Sequence, residues 1–285
     1  MKYWNSSWNP ITGCGAIKIS EGCAHCYAED LVNRRWVHNK KTHYYTVGFK
    51  PAVKWYALEL PKVPKGQVIF VSDMGDPIGL IDFWREGFWL ETKDTKIPRP
   101  MTEADAHRAI NRLLNIVRDR PTQQFLLLTK RPKALPIFDL AIPNLWVGTT
   151  ICNQDEVWKL DWLLKSNAIN RWLSIEPMLT AVTFDTEKLK QVHWVVCGGE
   201  NYRDLASVSV MEPEWTRQLL DECRVAGVPF FFKQAGSFYQ DDQDDSDFQA
   251  VGAVVRERPT ALQGAGMQSE NEQVSFAQSV QLVLT

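Results

Sequence analysis

Short apolar runs punctuate this chain, and each stops at a polar or charged residue. Gln67-Val68-Ile69-Phe70-Val71 ends at Ser72-Asp73-Met74-Gly75-Asp76-Pro77. Phe125-Leu126-Leu127-Leu128 ends at Thr129-Lys130-Arg131-Pro132, and Leu145-Trp146-Val147-Gly148 ends at Thr149-Thr150. Trp172-Leu173-Ser174-Ile175 gives way to Glu176-Pro177, and His193-Trp194-Val195-Val196-Cys197 to Gly198-Gly199-Glu200. Val228-Pro229-Phe230-Phe231-Phe232 ends at Lys233-Gln234. Between these runs the apolar period changes to that of a helix. Thr102 with Asp105 predicts a helix start, after which Ala106, Ala109, Ile110, Leu113, Leu114 and Val117 line one face. A helical stretch is predicted around Val157, Trp158 and Trp162. Pro213 opens another, carrying Trp215, Leu219, Leu220, Cys223 and Ala226, and Gly227 closes it.

Near-continuous apolar strands alternating with amphipathic helices predict a parallel sheet covered by helices. Six or seven such units suit a partial or closed parallel (β/α) barrel, with an open doubly wound sheet as the alternative. In barrel enzymes the site is built at the C-terminal strand ends. The strand-end residues Asp73, Lys130, Glu176, Glu200 and Lys233 are therefore candidates together, although any one of them alone reads equally well as a turn residue. The barrel is expected over residues 1–240, with an acidic loop and polar extension over 241–285. The run Asp241-Asp242-Gln243-Asp244-Asp245-Ser246-Asp247 reads as a solvated loop.

Composition changes this picture little. The 285 residues are 45% hydrophobic and 23% charged, as expected of a globular protein with a large core. No apolar run reaches the length of a membrane span, and Met1-Lys2-Tyr3-Trp4-Asn5-Ser6 lacks a signal-peptide core. A cytoplasmic location follows as an expectation, in the host cell if the chain is phage-encoded. The formal net charge of -2 gives no global pull toward nucleic acid. Locally, however, Asn33 to Tyr56 holds Arg34, Arg35, Lys40, Lys41, Lys50 and Lys54 with no acidic residue. Trp36, Tyr44, Tyr45 and Trp55 are interleaved with them. This is either a solvated loop or a nucleic-acid contact through Arg34, Arg35, Lys40 and Lys41.

Cys14, Cys23 and Cys26 stand close together, whereas Cys152, Cys197 and Cys223 are scattered. After Cys26, Tyr27, Ala28, Leu31, Val32 and Trp36 recur at helical spacing, so the cysteine loop runs into a helix. In a reducing compartment clustered cysteines read as metal-binding or catalytic. Zinc needs a fourth ligand such as His43 or Cys152. An iron–sulfur cluster on three cysteines leaves one iron open.

A three-cysteine loop opening a parallel α/β barrel resembles the radical S-adenosylmethionine superfamily. Six ordered motifs add to this: Trp8-Asn9-Pro10, Gly22-Cys23 with Cys26-Tyr27-Ala28, Leu128 to Pro132, Leu173 to Pro177, Gly198-Gly199-Glu200, and Phe231-Phe232-Lys233-Gln234. Together they resemble a phage-associated family, formerly a domain of unknown function, that includes the 5-N-α-glycinylthymidine isomerase of thymidine hypermodification.

The resemblance implies a [4Fe-4S] cluster on Cys14, Cys23 and Cys26, with S-adenosylmethionine held by Ser72, Asp73, Met74, Lys130, Arg131 and Ser174. It implies a 5′-deoxyadenosyl radical that isomerises a modified thymidine to its carbon-linked form, with Glu176, Glu200 and Lys233 on the substrate. The implied partners are DNA carrying modified thymidine and an electron donor such as flavodoxin or a chemical reductant. A radical enzyme on a peptide or small molecule, and a zinc- or cluster-bearing DNA-binding module, stand as alternatives.

Overall fold

In the computed structural model, residues 2–202, 204–239 and 246–263 are described. The segment 241–245 of the acidic run and residues 264–285 of the expected extension lie outside them. Among the described residues eleven strands are present: β1 Ser6–Trp8, β2 Ile11–Thr12, β3 Ala52–Lys54, β4 Val68–Val71, β5 Phe88–Leu90, β6 Arg99–Pro100, β7 Gln124–Thr129, β8 Leu145–Thr150, β9 Asn170–Ile175, β10 Trp194–Cys197 and β11 Phe230–Phe232.

Seven of them form one sheet in the order β1-β4-β7-β8-β9-β10-β11, parallel at every pairing. The sheet is a curled, open half-barrel, with no pairing between β1 and β11 among the described residues. A second, four-stranded sheet, β2-β3-β5-β6, joins it through a bridge between Gly13 and Gly75.

The strands are apolar on both faces because both faces are covered. On the outer face Ile69, Val71, Phe125, Leu127, Val147, Leu173, Val195 and Phe232 pack against the helices Glu103–Arg118, Trp158–Lys165 and Pro213–Ala226. The first of these helices starts at a reciprocal capping box between Thr102 and Asp105, and the last ends at left-handed Gly227, as the sequence predicts. On the inner face Phe70, Leu126, Trp146, Trp172, Trp194 and Phe231 form a separate aromatic cluster. Tyr3, from the segment before β1, completes it with edge-on contacts to Trp194 at 5.4 Å and Phe231 at 5.8 Å. Gly148 lies on this face because a Cβ there would come 2.5 Å from Trp172 Nε1.

Candidate functional site at the barrel mouth

Side chains alternate faces along a strand, so the inner set continues upward in steps of two. Phe70 is followed by Ser72, Leu126 by Leu128 and Lys130, and Trp146 by Gly148 and Thr150. Trp172 is followed by Ser174 and Glu176, and Phe231 by Lys233. The inner face is thus aromatic at its base and polar at the C-terminal end. That end opens into a cavity of about 540 Å³.

Cys14, Cys23, Cys26, Ser72, Asp73, Lys130, Arg131, Ser174, Glu176, Glu200 and Lys233 all line this one cavity. Met74 does not: it is buried in a cluster with Ala28, Val32, Tyr44 and Phe49. Arg34, Arg35, Lys40 and Lys41 also lie outside it, exposed on the segment after the first helix, Tyr27–Leu31. Arg34 is paired with Asp30.

Lys233 Nζ donates to Glu176 Oε1 and sits over the Trp4 ring at 5.9 Å. Gln234 Nε2 donates to the same carboxylate oxygen at 3.3 Å. Lys130 Nζ lies 3.9 Å from Cys152 Sγ. Burial acts to lower the Lys130 ammonium, but the surrounding Cys152, Cys23 and Glu156 outweigh it and hold the group above the usual lysine range.

Several neighbours are engaged in building the mouth. Asp73 accepts from Ser7 Oγ at 2.5 Å and Asn9 Nδ2 at 2.7 Å, and its carbonyl accepts from Tyr27 Oη at 2.7 Å. Buried Asp76 accepts from Gly79 N, Thr129 Oγ1 and Lys130 N, while burial raises its carboxyl above the ordinary value. Arg131 reaches Asp82 Oδ2 at 3.2 Å and the carbonyl of Ile17 at 2.7 Å. Ser72 turns the chain after β4 through a left-handed φ of 56°.

The cysteines correct the leading expectation from the sequence. Among the described residues no three His, Cys, Asp or Glu side chains form a group able to hold a metal ion. Cys14 and Cys26 instead pack against the apolar cluster of Ala28, Val32, Tyr44, Phe49 and Met74. Burial pushes both thiols up from the ordinary cysteine range. The donor set therefore does not fit a [4Fe-4S] cluster. The resemblance to the radical S-adenosylmethionine superfamily and its phage-associated branch is overturned on this geometry. With it go the radical enzyme and the thymidine isomerisation, both of which depend on that cluster. The zinc alternative, with His43 or Cys152 as fourth ligand, falls on the same finding. What stands is the α/β half-barrel itself.

Sequence reasoning passed over Tyr3 and Trp4, which line the cavity together with His25. From the sequence His25 reads only as a poor metal ligand, since residues adjacent on so tight a loop rarely reach one ion together. Trp4 and Tyr3 precede a three-residue strand, β1, too short and too polar to register as one. Among the described residues no helix is long and apolar enough to cross a membrane.

No curated protein and no solved structure matches the chain. Residues 80–100, which carry β5 and β6, fall in the gap between the two stretches that match a family model. That family, described as "Protein of unknown function (DUF5131)", matches residues 1–79 and 101–270, and the chain belongs to it.

Proposed function

We propose that the barrel mouth binds a small organic molecule carrying a planar ring and an anionic group, and carries out proton transfer on it. The observation behind this reading is the cavity of about 540 Å³ at the C-terminal strand ends, lined by charges of both signs. That volume is in the range of sites that enclose small ligands. In this reading Lys130 receives the anion, since charge-assisted hydrogen bonds are the strong ones. Tyr3, Trp4, Phe49 and Phe70 supply flat apolar walls, and the Glu176–Lys233 pair receives a hydroxyl or amine. Ser72, Asp73, Arg131, Ser174 and Glu200 shape the remaining wall.

The test is a binding panel read by thermal shift and tryptophan fluorescence. It compares a nucleoside monophosphate, the matching free nucleoside, an aromatic carboxylate and its neutral amide. The anionic members are expected to bind, and Lys130→Met is expected to weaken them about tenfold or more. Equal binding by the Lys130→Met variant, or no binding by any anionic member, sinks the reading.

A second reading rests on Arg35, Lys40 and Lys41, which are exposed and make no ion pair among the described residues. These cations are suited to a DNA strand whose terminal or flipped base approaches the mouth. If so, changing all three to Ala lowers affinity for single-stranded DNA and flattens its salt dependence. An unchanged slope removes this contact.

A further inference from the structure

We propose that His25 is the acid–base residue of the barrel mouth and that Glu200 is its positioning partner. The proposal deepens the ligand-binding reading above, but its geometry is independent of Lys130.

His25 lies in the turn between Cys23 and Cys26 and lines the cavity. Its Nδ1 is buried and stands 3.1 Å from Glu200 Oε1, within ion-pairing reach but off the line of a straight hydrogen bond. The ring stacks on Tyr202, with centroids 4.4 Å apart and planes 13° from parallel. The side chain retains 24% of its exposure, so Nε2 is the accessible ring nitrogen.

Glu200 is itself held firmly. It is only 5% exposed, and its Oε2 accepts from Ser209 N at 2.9 Å. Its backbone carbonyl accepts from Ser237 N at 2.9 Å, and the preceding Gly199 N donates to Gln234 O at 3.0 Å. One carboxylate oxygen is thereby left to face the imidazole. Among the described residues this is the only histidine paired with a carboxylate. By contrast, His43 meets Thr12, and His193 accepts from Arg171 N.

A carboxylate beside Nδ1 favours the tautomer with the proton on Nδ1, leaving a lone pair on Nε2. That lone pair is available to the cavity. Contacts of this kind are often poorly aligned without ligand and tighten when it binds. In the step proposed, a proton leaves a C–H, O–H or N–H group of the bound ligand for Nε2, and the electron pair stays on the ligand atom. The imidazolium is balanced by Glu200, and the new ligand anion by Lys130 or Lys233. The proton returns to the same or a neighbouring ligand atom, so no oxidant or reductant is consumed.

The test uses the full chain without ligand. Two-bond ¹H–¹⁵N NMR under mildly alkaline conditions reads the His25 tautomer, with His25→Gln assigning the signal. The expected result is a proton on Nδ1 and a bare Nε2. Diethyl pyrocarbonate, which acylates a bare imidazole nitrogen, provides a second readout by peptide mapping. Glu200→Leu is expected to shift the tautomer toward Nε2–H and slow acylation of His25 about fivefold or more. Glu200→Asp is expected to restore both in part.

A wild-type Nε2–H tautomer, or an unreactive His25, overturns the proposal even if Glu200→Leu fails to fold. An unchanged tautomer and rate in a folded Glu200→Leu variant overturns it too. Failure of the anion panel with this chemistry intact would count against the Lys130 reading alone.

Discussion

Glu176 and Lys233 reach each other across the end of the strand that separates them. Glu176 follows β9, Lys233 follows β11, and β10 between them runs out into Gly198-Gly199. A Cβ on Gly198 would stand beside the bridge, 3.5 Å from Lys233 Cβ, whereas one on Gly199 would face the backbone of Ala235 and Gly236. The two positions differ sharply in the room they offer. A Cβ on Gly198 meets nothing nearer than Gln234 Nε2 at 3.2 Å, whereas one on Gly199 would lie 1.9 Å from the Ala235 carbonyl oxygen.

Gly199→Ala is therefore expected to cost about 3 kcal/mol, because backbone and not a flexible side chain must move. Gly198→Ala is expected to cost less than about 1 kcal/mol. Urea denaturation of the two variants checks the contrast, and equal midpoints would refute it.

Lys159 is fully buried, with Nζ 2.7 Å from Glu156 Oε2 and 3.2 Å from the Thr150 carbonyl. The same Glu156 oxygen accepts from Cys152 N at 2.9 Å. Lys159→Met leaves that carboxylate buried without its counter-charge, a loss of about 3–5 kcal/mol. Adding Glu156→Gln removes the charge and keeps an acceptor for Cys152 N, so the double variant is expected to recover more than half. Thermal melts of the single and double variants decide this.

His43 is held down at about 3, chiefly by burial and then by the Lys54 charge. The unfolded chain takes up a proton at ordinary histidine pH and the folded one does not. Stability from this group is thus complete above about pH 6.5 and drains away as pH falls toward about 3. The loss is up to about 5 kcal/mol across that window. His43→Gln is expected to flatten the upper part of the acid-denaturation profile. Asp105 acts lower, because the Arg99 guanidinium holds its carboxyl well below the usual carboxylate range.

Asp105 accepts from Arg99 Nη1 at 2.6 Å, from Thr102 N at 3.0 Å and from Thr102 Oγ1 at 2.8 Å. It closes the capping box of the helix that covers the outer sheet face. Asp105→Ala is expected to cost about 2 kcal/mol, and Arg99→Ala less, since that partner is largely exposed. Denaturant midpoints at neutral pH provide the measure.

The strand–helix alternation was legible because fully buried strands leave long apolar words such as Phe125 to Leu128. The same property hid which residues face inward, since Leu126 and Leu127 are equally apolar yet belong to opposite clusters. Only the polar ends, Lys130, Glu176 and Lys233, carry the period of two into view. The second sheet left no such trace, because its strands are two or three residues long. The cysteine spacing was equally visible, but spacing alone does not reveal that Cys14 and Cys26 turn toward Phe49 and Met74.

The aromatic base of the half-barrel has a consequence for traffic. Tyr3, Trp172, Trp194 and Phe231 stop the channel below the mouth, so the cavity is a blind well. Whatever enters must leave by the same opening. A component seated against the aromatic floor would accordingly have to enter before one seated nearer the opening.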